Sequence, residues 1–216
     1  METDVRSAHH DDLETIVGAL TESFFDDPVM MWLFDAGVRR KRLDALWRLL
    51  TVDGYLPAGA STVLPGGDGA ALWMPPGQSL DEVFWAEHQD EFVAGLGGEV
   101  ERIGQLSDAM DQHHPEDPHW YLLAIGIRPV AQGLGLGGAL LAHSLALADA
   151  SGQPAYLEAT SPRSRVLYER SGFEVVSEFG PDDGPRLWGM WREPKSATDV
   201  VGTATPSTAV QTGPKR

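Results

Sequence analysis

A cluster of glycines in the second half of the chain is the feature whose residue types and spacing most directly suggest chemistry. Gly133, Gly135, Gly137 and Gly138 lie within one short stretch. Glycine has no Cβ, so a turn built from it leaves its backbone amides accessible. Accessible amides at the N-terminus of a helix form a binding site for an anion such as a phosphate group. Leucines at helical spacing predict that helix, at Leu136, Leu140, Leu141, Leu145 and Leu147.

A strand must precede this loop if the loop is to be held in place. Residues 121–127 are mostly apolar and rich in large side chains, which predicts a buried strand. Pro129 has no amide hydrogen to donate to a sheet, so the strand must end before it. A strand, an accessible loop and a helix N-terminus therefore follow one another over residues 121–147 and predict an anion site.

Glu158 is a second candidate for chemistry. It lies in a short apolar segment, residues 155–159, that is typical of a strand. Side chains alternate along a strand, so Glu158 should share a face with Tyr156 and lie opposite Leu157. A carboxylate in this setting can accept a proton if burial raises its pKa. A helix cap or a solvent-facing charge is the structural alternative.

Other interpretations of the glycine loop compete with a simple anion site. Gly133, Gly135 and Gly138 satisfy the motif G-x-G-x-x-G. Glu158 follows at the sequence separation at which a dinucleotide-binding domain has the acid that binds the ribose, so the pattern favours a dinucleotide-binding oxidoreductase. Against it, the motif lies late in the chain, and too little sequence remains for half of a doubly wound sheet. A triphosphate-binding loop is excluded because no Lys followed by Ser or Thr ends the glycine run. A turn that only tightens strand-to-helix packing is the structural alternative.

The loop also contains a second motif, Q-x-x-G-x-G at residues 132–137, which I-R-P precedes. This motif resembles the coenzyme A signature of the GCN5-related N-acetyltransferase (GNAT) family. The segment PAYLEATSPRSRVLYERSGFEVV resembles the second cofactor-binding half of that family. Among the members of the family, those like puromycin N-acetyltransferase are most similar to this chain, through the segments WYLLAIGI, SPRxxxLYERxGF and GPRLWxM. The resemblance is strong over residues 118–193 and weak before them.

The resemblance implies an acetyl-coenzyme A-dependent N-acetyltransferase that acts on a primary amine of a small molecule, such as an antibiotic or an aminonucleoside. Tyr168 would be the general acid for the leaving thiolate, and Glu158 the base, directly or through water. His119 and Glu116 are weaker candidates for the base. A strand interrupted near residues 125–127 would direct a backbone amide at the thioester. The implied cofactor-binding residues are Ile125, Gly126, Ile127, Gln132, Gly133, Leu134, Gly135, Leu136, Gly137, Gly138, Ser164 and Tyr168.

Three departures from the pattern of the nearest relatives bear on this interpretation. Leu134 stands where those relatives have a lysine, which removes a charge contact to phosphate. Ser164 replaces a frequent asparagine, and Asp27 lies where the puromycin enzyme has an aromatic residue. A non-catalytic acyl-coenzyme A-binding module therefore remains an alternative.

Composition limits the partners and the compartment. The formal net charge is −16, and phosphate contacts need clustered Lys and Arg, so we expect no nucleic-acid partner. No segment approaches the ~18 apolar residues of a membrane span, and the polar N-terminus does not resemble a signal peptide. The chain has no cysteine, which favours a cytoplasmic protein without disulfides. No metal is expected, because no histidine pair has helical i, i+4 spacing; the loop histidines are His9, His10, His113, His114 and His119.

The pattern of elements predicts one domain of the α/β (α+β) class over residues 1–194, with a central mixed twisted sheet flanked by helices. Residues 195–216 are small and polar without periodicity, which predicts a disordered tail. Ser79 is expected to cap a helix that runs with glycine breaks to about Met110, and Gly54 to end an earlier helix. Residues 29–34 are a short, densely apolar segment that either lines a pocket or fills the core. Aromatic candidates for an acceptor pocket are Trp32, Trp73, Phe84 and Trp85. The oligomeric state is left open.

Overall fold

A computed structural model describes residues 4–97 and 99–195. The described residues form seven strands and seven α-helices, joined by short turns. In chain order these are β1 (Arg6–Ser7), α1 (Leu13–Ser23), α2 (Pro28–Leu33), α3 (Ala36–Leu49), β2 (Thr62–Val63), β3 (Gly69–Met74), α4 (Glu82–Leu96), α5 (Val100–Asp111), β4 (Trp120–Ile127), α6 (Leu136–Ser151), β5 (Ala155–Ala159), α7 (Pro162–Arg170), β6 (Glu174–Phe179) and β7 (Leu187–Arg192).

The strands form one mixed sheet in the order β1-β2-β3-β4-β5-β7-β6. Strands β4 and β5 are parallel, and α6 supplies the crossover that a parallel pair requires. The other neighbouring strands of the described sheet pair antiparallel. The predicted mixed sheet flanked by helices is confirmed. A doubly wound sheet needs successive parallel strands, so the dinucleotide-binding alternative is wrong.

Each face of the sheet is covered by its own hydrophobic core. Helices α1, α2 and α3 pack on one face, where Ile16, Leu43 and Leu72 are fully buried. Helices α6 and α7 pack on the other, where Leu141 and Trp73 are fully buried. The sheet is therefore sandwiched, and any site must open where strands separate or helices leave space.

The sheet separates between β4 and β5. Their pairing covers only Trp120–Leu122 against Ala155–Leu157, although β4 continues to Ile127. On its other side β4 pairs with β3 throughout, with a register shift that leaves Leu123 as an extra residue opposite Leu72 and Trp73. The predicted irregularity near residues 125–127 is therefore wrong in position: those residues pair regularly with β3, and the bulge lies at Leu123. The part of β4 after Leu122 presents an edge toward the gap.

Two helix boundaries differ from those predicted from the sequence. The glycine break expected before Met110 is present at Gly97, which adopts the left-handed conformation (φ 66°) and ends α4, but the start of this helix differs. Asp81, not Ser79, is the N-cap, since its side chain accepts a hydrogen bond from the Phe84 amide. Gly54 does not end a helix either. The chain continues from α3 into a π-helical turn, Leu50–Tyr55, that carries Tyr55 into the core.

Within the described ranges, the longest helices are too short or too polar to cross a membrane. The predicted tail, residues 195–216, lies outside the described residues except for Lys195, so the domain boundary at 194 stays a prediction.

An ion pair holds the C-terminal end of α7 against β7 and α6. Arg192 is almost fully buried, forms two bonds of 2.7 and 2.8 Å to the Asp149 carboxylate, and donates to the Ser171 carbonyl. The Arg192 guanidinium lowers the pKa of Asp149 below its ordinary value. This contribution to stability is therefore present above about pH 4 and is lost as the pH falls through the lowered pKa.

Asp149→Asn should reduce the free energy of unfolding by about 2 kcal/mol at pH 7, because it leaves the buried Arg192 charge without its counter-ion. Denaturant unfolding at several pH values measures this. The difference from the wild type should shrink below about pH 4. Asp44→Asn, at an exposed carboxylate, serves as the matched control and should change stability by less than about 0.5 kcal/mol. An equal loss at low pH would contradict the assignment to the ion pair.

Candidate active site

The glycine loop connects β4 to α6 and leaves the first turn of α6 open. Gly133 and Gly135 have φ values of 82° and 79°, which residues other than glycine rarely adopt. Gly135 is the N-cap of α6, and within residues 4–97 and 99–195 no side chain caps the amides that follow it. The Gln132 side chain donates to the Ile127 carbonyl at 3.0 Å and ties the loop to the end of β4. The loop therefore presents unpartnered amides at a helix N-terminus.

Gly138 has no internal reason to be glycine. It lies in the first turn of α6, and a Cβ built there meets no atom of the described residues within 4 Å. Gly137 differs, because a Cβ there would contact Leu167 and Ile127 at 3.5 and 3.7 Å. Neither the backbone nor the packing of the protein requires glycine at 138, which favours close approach of a ligand. Leu134, at the position of the missing lysine, is 73% exposed beside the loop.

Ser164 lies in the first turn of α7 and is used within the chain. Its amide donates to the Ser161 hydroxyl, and its own hydroxyl accepts from the Ser161 amide, which makes a capping box. A serine here supports the helix N-terminus itself. Its contact with a cofactor stays a prediction.

Tyr168 is buried on α7, with its ring packed edge-on against Phe173. Its hydroxyl makes no hydrogen bond to another residue in the described part of the chain. Burial raises the pKa of Tyr168, and the negative charge of Asp27 adds to the rise. The phenol therefore stays protonated at neutral pH and is available as a proton donor.

Asp27 joins α2 to the end of β5 close to Tyr168. Its carboxylate caps α2 by accepting from the amides of Val29 and Met30, and it accepts a hydrogen bond from the Thr160 hydroxyl. Burial raises the pKa of Asp27, while these hydrogen bonds oppose the rise. Asp27 is therefore a helix cap beside the end of β5, a role that sequence reasoning did not assign to it.

Glu158 lies beside Tyr156 as the alternation predicts, on the face opposite Leu157, and its side chain is only 4% exposed. Its Oε2 accepts a hydrogen bond of 2.9 Å from the Tyr121 hydroxyl. Its Oε1 is buried without a hydrogen bond among the described residues, and the His114 Nδ1 lies 3.5 Å from it. Glu158 is thus neither a cap nor a solvent-facing charge, but a buried carboxylate with an open acceptor position.

Three tyrosines surround this carboxylate. Burial raises the pKa values of Tyr55, Tyr121 and Tyr156, and the charge of Glu158 raises each of them further. All three hydroxyls therefore remain protonated; the Tyr121 hydroxyl donates to the carboxylate, and the Tyr156 hydroxyl donates to the His113 carbonyl at 3.4 Å. Tyr55 and Tyr121 were missed as site residues, because nothing in their sequence positions shows that they meet Glu158.

Two histidines from the loop before β4 complete the cluster. The ring of His114 packs edge-on against Tyr121 and Tyr156, and the ring of His119 lies next to it. Burial lowers the pKa of His119, so its ring is neutral at pH 7. The His119 Nδ1 donates to the Asp117 carbonyl at 2.7 Å, which leaves the Nε2 able to accept a proton.

A cavity of about 590 Å³ opens beside this cluster, on the face covered by α2, α3, α4 and α5. Tyr55, Tyr121, His114, His119 and Glu116 line its polar part. The apolar segment at residues 29–34 is mainly helix α2, and Met30, Leu33 and Phe34 of it line the cavity. Of the four predicted aromatics, Trp85 lines the cavity. Trp32 and Phe84 do not belong to its lining. Trp73 is fully buried in the core of the opposite face, because side chains alternate along β3 and those of Leu72 and Met74 point to the cavity side of the sheet.

The structure thus brings the predicted residues into two neighbouring groups. The glycine loop, Ile125–Ile127 and Tyr168 flank the gap after the β4–β5 pairing ends. Glu158 is the first residue of β5 after that pairing, and its partner Tyr121 lines the cavity. Leu123, the bulged residue of β4, lines the cavity as well. Strand β4 therefore connects the polar part of the cavity, at Tyr121, to the glycine loop that follows Ile127. Among the residues described, no three His, Asp or Glu side chains are grouped as metal ligands would be.

Comparison with known proteins gives a consistent result. The acetyltransferase (GNAT) family matches residues 68–173. A histone acetyltransferase HPA2-related acetyltransferase of Corynebacterium glutamicum is 31% identical and has a TM-score of 0.68, covering 96% of this chain and 100% of that one. An uncharacterized N-acetyltransferase of Schizosaccharomyces pombe is 27% identical over 92% of this chain and 87% of its own. Arylalkylamine N-acetyltransferase 2 of Aedes aegypti shares the fold at 16% identity, with a TM-score of 0.57 over 90% of this chain and 100% of that one.

Proposed function

Because this chain belongs to the GNAT family of N-acetyltransferases, whose donor is an acyl-coenzyme A, we propose that it transfers an acetyl group from acetyl-coenzyme A to the primary amine of a small molecule. The carrying observation is the buried carboxylate of Glu158, which is joined through the Tyr121 hydroxyl to a cavity of about 590 Å³. A buried carboxylate joined to a cavity is not needed for a non-catalytic coenzyme A-binding module, so we favour the enzyme over that alternative.

The acceptor amine must lose a proton before or during its attack on the thioester. Tyr121 lines the cavity and already donates to Glu158, so its oxygen can accept a proton from the amine as its own proton passes to the Glu158 Oε2. The buried carboxylate ends as a carboxylic acid and the tyrosine is restored. Glu158 thus acts as the base through Tyr121. The neutral His119, at the same wall, is the second group able to take this proton.

The leaving thiolate requires a proton, and we assign it to Tyr168. Tyr168 lies by the gap between β4 and β5, its hydroxyl has no hydrogen-bond partner among the described residues, and burial raises its pKa. A phenol that stays protonated at pH 7 is a suitable general acid. Asp27 keeps α2 in place next to it.

Acetyl-coenzyme A supplies the thioester. We propose that the amides of the first turn of α6 bind its pyrophosphate, with the positive end of the helix adding to the attraction. The open edge of β4 at Ile125–Ile127 would pair with the extended arm of the cofactor, as the family resemblance implies. Gln132 holds that edge and the loop together. Because Leu134 lacks the positive charge of the lysine in the nearest relatives, the backbone amides must supply more of the binding free energy of the pyrophosphate.

The resemblance of residues 118–193 to puromycin N-acetyltransferase-like members supports an antibiotic or aminonucleoside amine as the acceptor. The assay for the whole proposal is thiol release from acetyl-coenzyme A in the presence of a panel of amines. Release that depends on an added amine, with the N-acetyl product identified by mass, is the expected result. Hydrolysis at a constant rate whatever the amine would contradict the proposal.

Gly138→Glu should weaken coenzyme A binding by about tenfold or more without weakening the fold. The side chain would occupy the approach to the first turn of α6 and place a negative charge against the pyrophosphate. Glutamate at this helix position should instead stabilise the protein by roughly 0.5–1 kcal/mol relative to glycine. Calorimetric titration with coenzyme A and thermal unfolding measure the two effects.

Gly104→Glu is the matched control for this variant, because Gly104 is also a helical glycine with open space around it, on α5. It should leave coenzyme A binding unchanged. If Gly138→Glu bound coenzyme A as tightly as the wild type, the pyrophosphate would have to lie elsewhere.

A further inference from the structure

We propose that the acceptor is an amphiphilic primary amine, with a single amino group on an apolar aliphatic or aromatic body that carries no second charge. This inference rests on the proposed N-acetyltransferase function and narrows its substrate class. It follows from the way charge and apolar surface are divided over the wall of the cavity.

The apolar side chains of the wall come from the helices and from the turn after α3. The wall includes Phe92 and Leu96 of α4, Ile103 and Leu106 of α5, and Leu50 after α3. These side chains are large, and several are only partly buried although they pack against the main core. They hold open a space that a well-packed core would close, and only an apolar ligand would bury them favourably. The remaining apolar wall residues are Met30, Leu33, Phe34, Leu46, Met74, Leu80, Trp85, Met110 and Leu123.

Nearly all titratable side chains of the wall belong to one segment of the chain, which we call its polar end. Apart from Tyr55 and Tyr121, they all come from residues 111–119, directly before β4. Three of them are acidic, Asp111, Glu116 and Asp117, and no Lys or Arg belongs to the described wall. This end lies against Glu158, where the proposed base acts. An amine would be drawn to this end by the carboxylates, and the rest of its body would extend between the helices.

The same division disfavours two large classes of biological amine. Amino acids carry a carboxylate that the acidic residues would repel and that no cation of the wall could pair with. Polyamines carry a second ammonium group, which would lose its hydration among leucine, isoleucine and phenylalanine side chains without a counter-ion. A volume of about 590 Å³ lies within the range of ~300–1,000 Å³ that is usual for drug-sized ligands. The cavity therefore suits a body as large as a substituted ring or a medium alkyl chain.

Three amines of equal length test the proposal: hexylamine, hexamethylenediamine and ε-aminocaproate. They differ only at the far end, which is a methyl, an ammonium or a carboxylate group. We expect kcat/KM for hexylamine to exceed both others by about tenfold or more, because only the methyl group is accepted by the apolar wall. Along the series from butylamine to hexylamine, kcat/KM should rise about fourfold per methylene, which corresponds to ~0.8 kcal/mol.

A charge-reversal variant tests the location. Leu106→Glu places a carboxylate in the apolar wall, so it should lower kcat/KM for hexylamine and raise that for hexamethylenediamine. A change of rank between the two amines cannot result from partial unfolding, which would lower both. Val100→Glu adds the same charge to an exposed position of the same helix outside the cavity lining and should leave the rank unchanged.

The outcomes separate this inference from the proposed function. Equal or better use of the diamine or the amino acid by the wild type would overturn the substrate class while leaving the acetyltransferase proposal intact. Faster reaction of butylamine with octanoyl- than with acetyl-coenzyme A would also overturn it, because the cavity would then hold the acyl chain. If no amine released thiol while coenzyme A still bound, the proposed function itself would fail.

Discussion

Glu158→Gln should lower kcat by about 10²–10³ while the protein remains folded. Glutamine has nearly the same shape and can still accept the hydrogen bond from Tyr121, but it cannot take up the proton of the amine. General base catalysis typically contributes 10²–10⁴ to a rate, and the neighbouring His119 can supply part of it in the variant. Steady-state kinetics with a saturating amine measures the effect. The affinity for coenzyme A should stay within about twofold, because Glu158 lies away from the glycine loop.

The proposed route of the proton makes a sharper prediction about pairs of variants. If Tyr121 and Glu158 act in series, Tyr121→Phe should have a loss of kcat similar to that of Glu158→Gln. The double variant should lose little more than the worse single variant, since groups that act as a unit are strongly non-additive. Multiplying losses would show that the two residues act separately. Glu169→Gln, at an exposed glutamate of α7, is the matched control and should leave kcat unchanged.

His119→Asn distinguishes the two groups able to take the proton. Asparagine can keep the hydrogen bond to the Asp117 carbonyl but cannot be protonated near neutral pH. With Glu158 as the base, this variant should lose less than about tenfold in kcat. A larger loss than that of Glu158→Gln would transfer the role to His119.

Tyr168→Phe is expected to have an effect of similar size, a fall in kcat of about 10²–10³, from loss of the proton donor to the thiolate. The ring and its contact with Phe173 are kept, and the deleted hydroxyl makes no hydrogen bond to a described residue. The free energy of unfolding should therefore change by less than about 0.5 kcal/mol, and coenzyme A should bind as before. A residue that served only for packing would give an unchanged kcat, which would contradict the assignment.

The pH dependence of the wild type gives a second test of Tyr168. A general acid is active only while protonated, and burial raises the pKa of this phenol above its ordinary value near 10. Ionisation of Tyr168 should therefore not reduce kcat until the pH is above about 10. An alkaline fall of kcat with a midpoint near pH 8, absent from Tyr168→Phe, would show that the phenol is far more acidic than its buried position allows.

The sequence alone determined the features of this protein that depend on contiguous residues. The glycine loop, the strand before it and the helix after it lie within residues 121–147, and backbone geometry requires glycine at Gly133 and Gly135. The alternation of β5 similarly placed Glu158 beside Tyr156. Such features are set by local conformational preferences and by the regular periods of strands and helices, so they can be inferred without a fold.

Only the tertiary structure decided what surrounds Glu158 and where an acceptor would bind. A π-helical turn after α3 brings Tyr55 near enough for the charge of Glu158 to act on it, and a polar loop before β4 brings the His114 ring to the carboxylate. These partners are separated along the chain by tens of residues, and packing of helices on the sheet, which leaves no local signal, brings them together. The cavity arises in the same way, since the space between α4 and α5 is a property of their arrangement and not of either segment. Contiguous residues thus indicated the donor, whereas the acceptor side became visible only in the folded chain.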